Sequence, residues 1–216
     1  AALFWFVFGA VLGAKIGYVI VYDPNAHYQL TRPWLIFNPF KESGKFVGIS
    51  GLSYHGAITG AVIALLIFAR RHKIAFWRVA DLAAVSGSAG YAFGRLGNFF
   101  NAELLGRETA MPWGINVQGV LRHPSALYEA FLEGIVIFAI LFALYKKRKF
   151  AGQMAIGYLM LYAVMRFIAE FWREPDAQLG FIAFGWLSMG QALSALMFAL
   201  SLGVYLYLRR RGAKRK

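Results

Sequence analysis

Polar side chains gather in the segment GRLGNFFNAELLG, residues 94–106, directly after a run of small and apolar residues. Arg95, Asn98 and Asn101 recur at every third position, so on a helix they share one face with modest drift. A guanidinium group binds phosphate oxygens bidentately, and asparagine amides can add neutral donors beside it. These residue types at this spacing indicate a site for an anion such as a phosphate ester.

A second arginine lies on a similar stripe later in the chain. Tyr162, Arg166 and Glu170 are spaced by four residues, which places them on one face of an otherwise apolar helix. An ionisable side chain at the centre of a transmembrane helix costs at least about 2.5–3.5 kcal/mol, so it usually has a partner or a task. An Arg166–Glu170 ion pair that only orients helices, and asparagines that only join helices, are the structural alternatives. Neither explains why these groups lie toward the same ends of their helices.

Two further segments bring polar residues to the same predicted end. His55 begins the second apolar run and could accept a proton near pH 7, although a histidine there can equally be an ordinary hydrogen-bonding residue. It is followed by Gly56 and Gly60, whose spacing allows close approach of another helix. The fourth apolar run begins with RHPSALYEAFLEG, and the polar side chains there are His123, Ser125, Tyr128, Glu129 and Glu133, the last two one helical turn apart.

The elements that must position these residues are membrane helices. Of the 216 residues, 59% are hydrophobic and 15% charged, whereas soluble domains average about 45–50% and 25%. A bilayer core of about 30 Å needs roughly 20 consecutive apolar residues. Six such runs predict an all-α, polytopic membrane protein with a single domain covering 1–216, whose helices occupy 1–22, 52–69, 80–98, 124–145, 153–172 and 185–208.

The basic residues predict the orientation of these helices. Clusters at 70–78, 146–149 and 209–216 hold fourteen of the 23 lysines and arginines. All three fall on one side if the helices alternate, and the positive-inside rule makes that side cytoplasmic. The basic tail at 209–216 is then expected to lie on anionic lipid of the inner leaflet, and the net charge of +13 does not indicate nucleic acid binding. The predicted external segments are 23–51, 99–123 and 173–184.

Residue types that the sequence lacks limit the reactions that the chain could catalyse. The chain has no cysteine, so it cannot supply a thiol nucleophile itself. Its four histidines are not spaced as ligand pairs and no aspartate-rich cluster appears, so neither a metal nor another cofactor is expected. Asp81, near an internal helix end, is interpreted as a cap at the start of its own helix beside Arg78. From the residues alone, the chain is an enzyme or a carrier acting on phospholipid in the outer leaflet.

The segment 94–106 resembles, position for position, the signature G-R-x-G-N-F-x-N-x-E-x-x-G of the bacterial prolipoprotein diacylglyceryl transferases. YHGAITG, RHPSALYEAFLEG and RFIAEFWREPDAQLG are similar to further blocks of that family in the same order, and the resemblance extends from Gly13 to the final helix. Ala57 stands where a glycine is usual, and Lys15 where arginine is common. Members of this family have seven transmembrane helices and an external N-terminus, which implies one further helix ahead of Ala1.

The resemblance implies transfer of a diacylglyceryl group from phosphatidylglycerol to the lipobox cysteine of a preprolipoprotein, in the bacterial cytoplasmic (inner) membrane. On it we assign His55 as the base that takes the thiol proton, and Glu170 as the residue that positions Arg166. The catalytic set is His55, Arg95, Tyr162, Arg166 and Glu170. The phosphatidylglycerol-binding set is Arg95, Asn98, Asn101, Glu103, Gly106 and Arg166, and the supporting set is His123, Ser125, Tyr128 and Glu129.

The alternative is a non-catalytic phospholipid transporter or flippase, in which the arginines only escort a headgroup. Transport predicts polar residues in both leaflets, whereas Asp81 is the only polar group near an internal helix end. A third possibility, an assembly scaffold, predicts no buried arginines.

Overall fold

A computed structural model of the chain describes residues 1–22, 31–32, 34, 38, 40, 46, 51–103, 106–175 and 180–213. Most of the predicted external segment 23–51 lies outside the described residues, as do positions 104–105, 176–179 and 214–216. The chain divides into two compact units, Ala1–Val79 and Ala80–Lys216.

Long helices occupy each of the six predicted positions, with ends that differ from the prediction by a few residues. Three of them are long and apolar enough to cross a membrane, over Ala2–Val21, Ser125–Tyr145 and Met189–Arg210. By length and composition, the described helices therefore support three spans rather than six. Within the described residues, the long helices are α1 (Ala2–Tyr22), α2 (Tyr54–Arg71), α3 (Phe76–Phe100), α4 (Ser125–Tyr145), α5 (Gln153–Ala169) and α6 (Met189–Ala213).

Two short hairpins correct the all-α prediction, and the protein is mostly helical. Strand β1 (Ile115–Val117) pairs antiparallel with β2 (Val120–Arg122), and β3 (Phe181–Ala183) pairs with β4 (Leu187–Ser188). The first hairpin turns at Gln118 and Gly119, which both have positive φ, as a two-residue turn between twisted strands requires. Such short strands have too few residues for a recognisable alternating pattern, so the sequence analysis placed β1, β2 and β3 in external segments and β4 at the start of the predicted helix 185–208.

In the first unit, α1 and α2 pack backbone to backbone through glycines. A Cβ atom added to Gly13 would lie 2.7 Å from the Cα of Gly60, and one added to Gly17 would lie 2.8 Å from the Cα of Gly56. No side chain fits between the helices at these positions. The predicted role of Gly56 and Gly60 in close helix approach is confirmed.

In the second unit, α3, α4 and α5 share a hydrophobic core formed by Val85, Ile137, Leu141 and Met154. Helix α4 is not regular, because Ala130–Val136 is π-helical and lies between α-helical turns at Ser125–Glu129 and Ile137–Tyr145. A π-helical insertion widens the turn and is frequent at functional sites.

Asp81 corrects another prediction. Helix α3 begins at Phe76, so Asp81 lies inside it and does not cap it. Its buried carboxylate instead accepts hydrogen bonds from the backbone N–H groups of Gly152, Met154 and Ala155, at 2.9, 2.9 and 3.0 Å. Asp81 therefore caps the first turn of α5, a contact across more than 70 residues that local sequence cannot reveal.

Candidate active site

Glu129, a fully buried carboxylate on α4, contacts three arginines. Its Oε1 atom accepts hydrogen bonds from Arg166 Nη1 at 2.9 Å and from Arg173 Nη1 at 3.5 Å. Its Oε2 atom lies 2.9 Å from Arg95 Nε. Arg95 comes from α3, Arg166 from α5 and Arg173 from the segment after α5. One carboxylate therefore ties together the two arginines that the sequence analysis placed on separate stripes.

Tyr91 completes the surroundings of Arg95. Arg95 Nε donates to the Tyr91 hydroxyl at 2.8 Å, so the N–H is directed at Tyr91 and the Arg95–Glu129 contact is an ion pair without a well-aligned hydrogen bond. The Tyr91 hydroxyl in turn donates to Glu133, which is also fully buried. The sequence analysis missed Tyr91, although its position four residues before Arg95 on the same helix was a usable signal.

The second carboxylate on α4 also reaches Arg166, with 3.7 Å between Glu133 Oε1 and Arg166 Nη1. Glu133 lies within the π-helical segment and Glu129 directly before it. The wider turn changes the angle between the two side chains from that of a regular α-helix. Both carboxylates nevertheless remain buried and close to Arg166, as the predicted one-turn spacing required.

Glu170 follows α5 directly and is buried. Its Oε2 atom lies 2.7 Å from Arg166 Nη2, so the predicted pair of Arg166 and Glu170 is present. Its Oε1 atom accepts a hydrogen bond from Ser188 Oγ at 2.9 Å. Tyr162 packs against Tyr91, the hydrogen-bond partner of Arg95. The two rings meet edge-on with 5.7 Å between their centroids.

The site is formally balanced, with three arginines and three glutamates. The side chains of Arg95, Arg166 and Arg173 remain 17%, 14% and 19% exposed, whereas the glutamates are buried beneath them. Each guanidinium carries five N–H donors, and the contacts with the glutamates and Tyr91 use only part of that set. The remaining donors can bind an anion that approaches from the exposed side. Within the described ranges, no three histidine, aspartate or glutamate side chains are arranged to hold a metal ion.

The predicted phosphate-binding residues that follow Arg95 divide into two groups. Asn98 lies beside the arginine, with 3.5 Å between Arg95 Nη1 and Asn98 Oδ1, and its amide donates to Glu103 Oε2 at 2.7 Å. Asn101 lies just past the end of α3 and is exposed. The structure therefore brings Asn98 and Glu103 together with Arg95, and leaves Asn101 at the surface.

Gly106 packs so closely against His123 that a side chain would not fit at this position. A Cβ atom added to it would lie 2.8 Å from the Cβ of His123. Gly106 pairs with Arg173 as an isolated β-bridge, and its carbonyl accepts from Arg122 Nη1 at 3.1 Å. The end of the signature segment is thereby held against the part of the chain that carries Arg173.

The supporting residues His123, Ser125 and Tyr128 form the start of α4 and its approach. The Tyr128 hydroxyl accepts a hydrogen bond from Trp113 Nε1 at 2.7 Å and lies 3.2 Å from His123 Nδ1. Buried Ser125 donates its backbone N–H to the His123 carbonyl at 2.8 Å. His123 and Tyr128 line a cavity of about 420 Å³ whose other walls are Met111, Trp113, Phe131, Leu132 and Trp172.

His55 belongs to the first unit, where it lies in the first turn of α2 and is exposed. Ser53 caps this helix by accepting from the Gly56 N–H at 3.3 Å, and the His55 carbonyl accepts from Thr59 Oγ1 at 2.9 Å. These contacts explain why a helix begins here. The predicted role of His55 as a base stays a prediction.

Comparison with known proteins supplies an independent observation. Residues 1–207 match the family described as prolipoprotein diacylglyceryl transferase. The chain is 56% identical over 207 residues to the phosphatidylglycerol–prolipoprotein diacylglyceryl transferase of Wolinella succinogenes, an alignment that covers 96% of this chain and 75% of the relative. It is 54% identical over 205 residues to the enzyme of that name from Campylobacter lari, covering 95% and 75% of the two chains. It is 52% identical over 209 residues to the enzyme of that name from Aliarcobacter butzleri, an alignment that covers 96% of this chain and 76% of the relative.

These matches confirm the resemblance that the signature segment predicted. Together with the three long apolar helices, they indicate a bacterial membrane protein.

Proposed function

The chain belongs to the prolipoprotein diacylglyceryl transferase family, and on that premise we propose that it transfers the diacylglyceryl group of phosphatidylglycerol to the lipobox cysteine of a preprolipoprotein. The observation that carries the proposal is the pair Arg95 and Arg166, held from two helices by the buried carboxylate of Glu129. Fixed donors of this kind suit a reaction whose leaving group is a phosphate ester.

The proposed reaction is a displacement at a glycerol carbon. The cysteine thiolate of the substrate forms the new C–S bond, and the bond between that carbon and the phosphate oxygen breaks. The electron pair of the broken bond leaves with glycerol phosphate, where negative charge develops. Arg95 and Arg166 stabilise that charge, since guanidinium groups match phosphate oxygens in geometry and charge.

Glu129, Glu133 and Tyr91 act on the arginines rather than on the substrate. They hold both guanidinium groups in place before the lipid arrives, so little reorganisation is needed as charge develops. Glu170 restrains Arg166 from the other side. The hydrogen bond between Asn98 and Glu103 restrains the chain directly after α3.

The thiol must lose its proton, because the thiolate is the nucleophile and a free cysteine has a pKa of about 8.5. We assign this step to His55, since histidine is the side chain that most often serves as a general base. Its exposure at the start of α2 supports access to a substrate.

We further propose that all six helices cross the bacterial cytoplasmic membrane as one domain, with the basic clusters and the C-terminus inside. Helices α2 and α5, with 18 and 17 residues, extend about 26–27 Å, close to a bilayer core of about 30 Å. Helix α2 ends on Arg70 and Arg71, as a helix that ends at the cytoplasmic surface would. The candidate site then faces the external leaflet, where membrane lipid and the preprolipoprotein segment both meet it.

The transporter alternative is weakened by Asp81. The sequence analysis singled it out as a polar group near an internal helix end, and its carboxylate accepts the hydrogen bonds that cap α5. The names of the relatives also support a transferase.

A direct assay tests the proposal. The purified protein is incubated with phosphatidylglycerol labelled in the glycerol of its diacylglyceryl group and with a peptide that carries a lipobox cysteine. We expect mass spectrometry to show the peptide with one diacylglyceryl group on sulfur, and none on a matched peptide with serine at that position. A folded protein that leaves the cysteine peptide unmodified would refute the proposed activity.

A further inference from the structure

Helix α6 begins with a capping box formed by Ser188 and Gln191 in the sequence Ser-Met-Gly-Gln. Ser188 Oγ accepts a hydrogen bond from the backbone N–H of Gln191 at 3.2 Å, and Gln191 Oε1 accepts from the backbone N–H of Ser188 at 3.0 Å. Both side chains are buried. This reciprocal pattern satisfies two N–H groups that a helix start leaves without partners.

The hydroxyl group of Ser188 has another partner outside the box. It lies 2.9 Å from Glu170 Oε1, and because an ionised carboxylate only accepts hydrogen bonds, the serine must be the donor. The N–H of Gln191 already points at a lone pair of the same oxygen. The single hydroxyl hydrogen is therefore directed at Glu170.

Glu170 is enclosed by the start of α6 and by Arg166. A Cβ atom added to Gly190 would lie 2.6 Å from Glu170 Oε1, so the carboxylate packs directly against the first turn of α6. The positive end of the helix dipole favours a carboxylate at that position. The other oxygen, Oε2, pairs with Arg166 Nη2 at 2.7 Å.

We propose that Ser188 is a positioning residue for the transfer reaction, which it serves by orienting Glu170 against Arg166. Without the hydroxyl group, Glu170 Oε1 loses its donor in a buried site, and the carboxylate is free to rotate away from the orientation that holds the guanidinium. The inference rests on the proposed function in one respect, since it takes Arg166 to stabilise the phosphate leaving group.

A double-mutant cycle separates this role from that of an ordinary helix cap. The rates of transfer are measured for the wild type, Ser188→Ala, Glu170→Gln and the double variant. A hydrogen bond to a charged group contributes enough that Ser188→Ala should lower kcat/KM roughly 10- to 100-fold in the wild-type background. In the Glu170→Gln background the same change should lower it by no more than about twofold, because the charged acceptor that makes this hydrogen bond strong is already gone.

Two control variants test whether the loss of activity depends specifically on the hydroxyl group of Ser188. Ser194 is a buried serine on the same helix whose hydroxyl bonds to the Gly190 carbonyl at 2.7 Å, and Ser194→Ala should leave kcat/KM unchanged. Gln191→Ala breaks the other half of the capping box but keeps the hydroxyl of Ser188. It should lower the thermal unfolding temperature as Ser188→Ala does, while retaining most of the activity.

The same four proteins of the cycle are also unfolded thermally in detergent. Non-additive changes in stability are expected for Ser188 and Glu170, and additive changes would contradict their contact. An active wild type in which Ser188→Ala reduces kcat/KM equally in both backgrounds would overturn the positioning role alone. A folded wild type that makes no lipidated peptide would instead contradict the proposed function, while the unfolding cycle still decides whether the contact exists.

Discussion

Glu129 Oε1 and Arg166 Nη1 lie 2.9 Å apart, although 37 positions separate the two residues in the chain. The other oxygen of the same carboxylate lies 2.9 Å from Arg95 on a different helix. The Glu129 side chain is fully buried, so a single buried carboxylate contacts both guanidinium groups.

Removing the charge of Glu129 should destabilise the protein and lower its activity. Glu129→Gln leaves three neighbouring arginines with less negative charge between them, and breaking a buried pair typically costs about 3–5 kcal/mol. The measurement is thermal unfolding in detergent together with the rate of transfer. Glu108→Gln is the control, since Glu108 is 71% exposed and 3.6 Å from Arg122, where a pair is worth about 0–1 kcal/mol. Equal unfolding temperatures for the two variants would contradict a structural role for Glu129.

Neither arginine of the proposed clamp should tolerate lysine. Arg95→Lys and Arg166→Lys replace a planar fork with a point charge, and loss of one preorganised donor typically lowers the rate by about 10²–10³. Both variants should fold, because a positive charge still faces Glu129. Arg148→Lys, in the segment that follows α4, is the matched control and should keep normal turnover. If either clamp variant retains near-normal kcat, the phosphate role of that arginine is wrong.

The pH dependence of His55→Gln tests whether His55 is the base. Glutamine keeps hydrogen bonding but cannot take a proton, so the rate at pH 7 should fall by about 10²–10⁴. Since hydroxide can partly replace a base, the deficit should shrink as the pH approaches the free-thiol pKa of about 8.5.

Rates are compared between about pH 6.5 and 9 at saturating lipid and peptide. His72→Gln is the control, because His72 follows the last turn of α2 and its ring packs on Phe68 with 4.4 Å between centroids. Its profile should coincide with that of the wild type. Parallel curves for His55→Gln and the wild type would remove His55 from the chemistry, and the arginines would then have to lower the pKa of the substrate thiol by electrostatics.

Asp81→Ala should reduce stability without changing the chemistry. The substitution removes the acceptor for the N–H groups of Gly152, Met154 and Ala155 at the start of α5, and each unsatisfied buried donor costs about 1–3 kcal/mol. Thermal unfolding should show a clear decrease, smaller for Asp81→Asn, which keeps one carbonyl acceptor. The rate per folded molecule should stay close to the wild-type value. An unchanged unfolding temperature for Asp81→Ala would show that this cap adds no stability.

Labelling of single cysteines tests the proposed orientation, and the absence of native cysteine simplifies the experiment. Cysteines at positions 72, 147 and 213 adjoin the basic clusters and should be shielded from an impermeant external reagent. Cysteines at 43, 116 and 177 should react with it. External labelling of the first set in intact cells would reverse the orientation and move the candidate site to the cytoplasmic side.

Sequence alone was sufficient for the features that depend on neighbouring residues. Long apolar runs predicted the six helices to within a few residues, because the length and polarity of a run decide whether a helix can be buried. The pairing of Arg166 with Glu170 followed from a spacing of four, which helical geometry converts into contact. The close approach at Gly56 and Gly60 was likewise readable from their spacing, and the signature at 94–106 identified the family.

Tertiary structure alone decided which distant residues meet. Glu129 joins arginines of α3 and α5, Ser188 donates to Glu170, and Asp81 caps a helix 71 positions further along the chain. None of these pairs has a spacing signal, since each depends on how helices pack and on which oxygen of a carboxylate faces which donor. A buried polar group must find a partner wherever packing places one, so the same residue types in the sequence are compatible with several networks, and only the folded chain selects one.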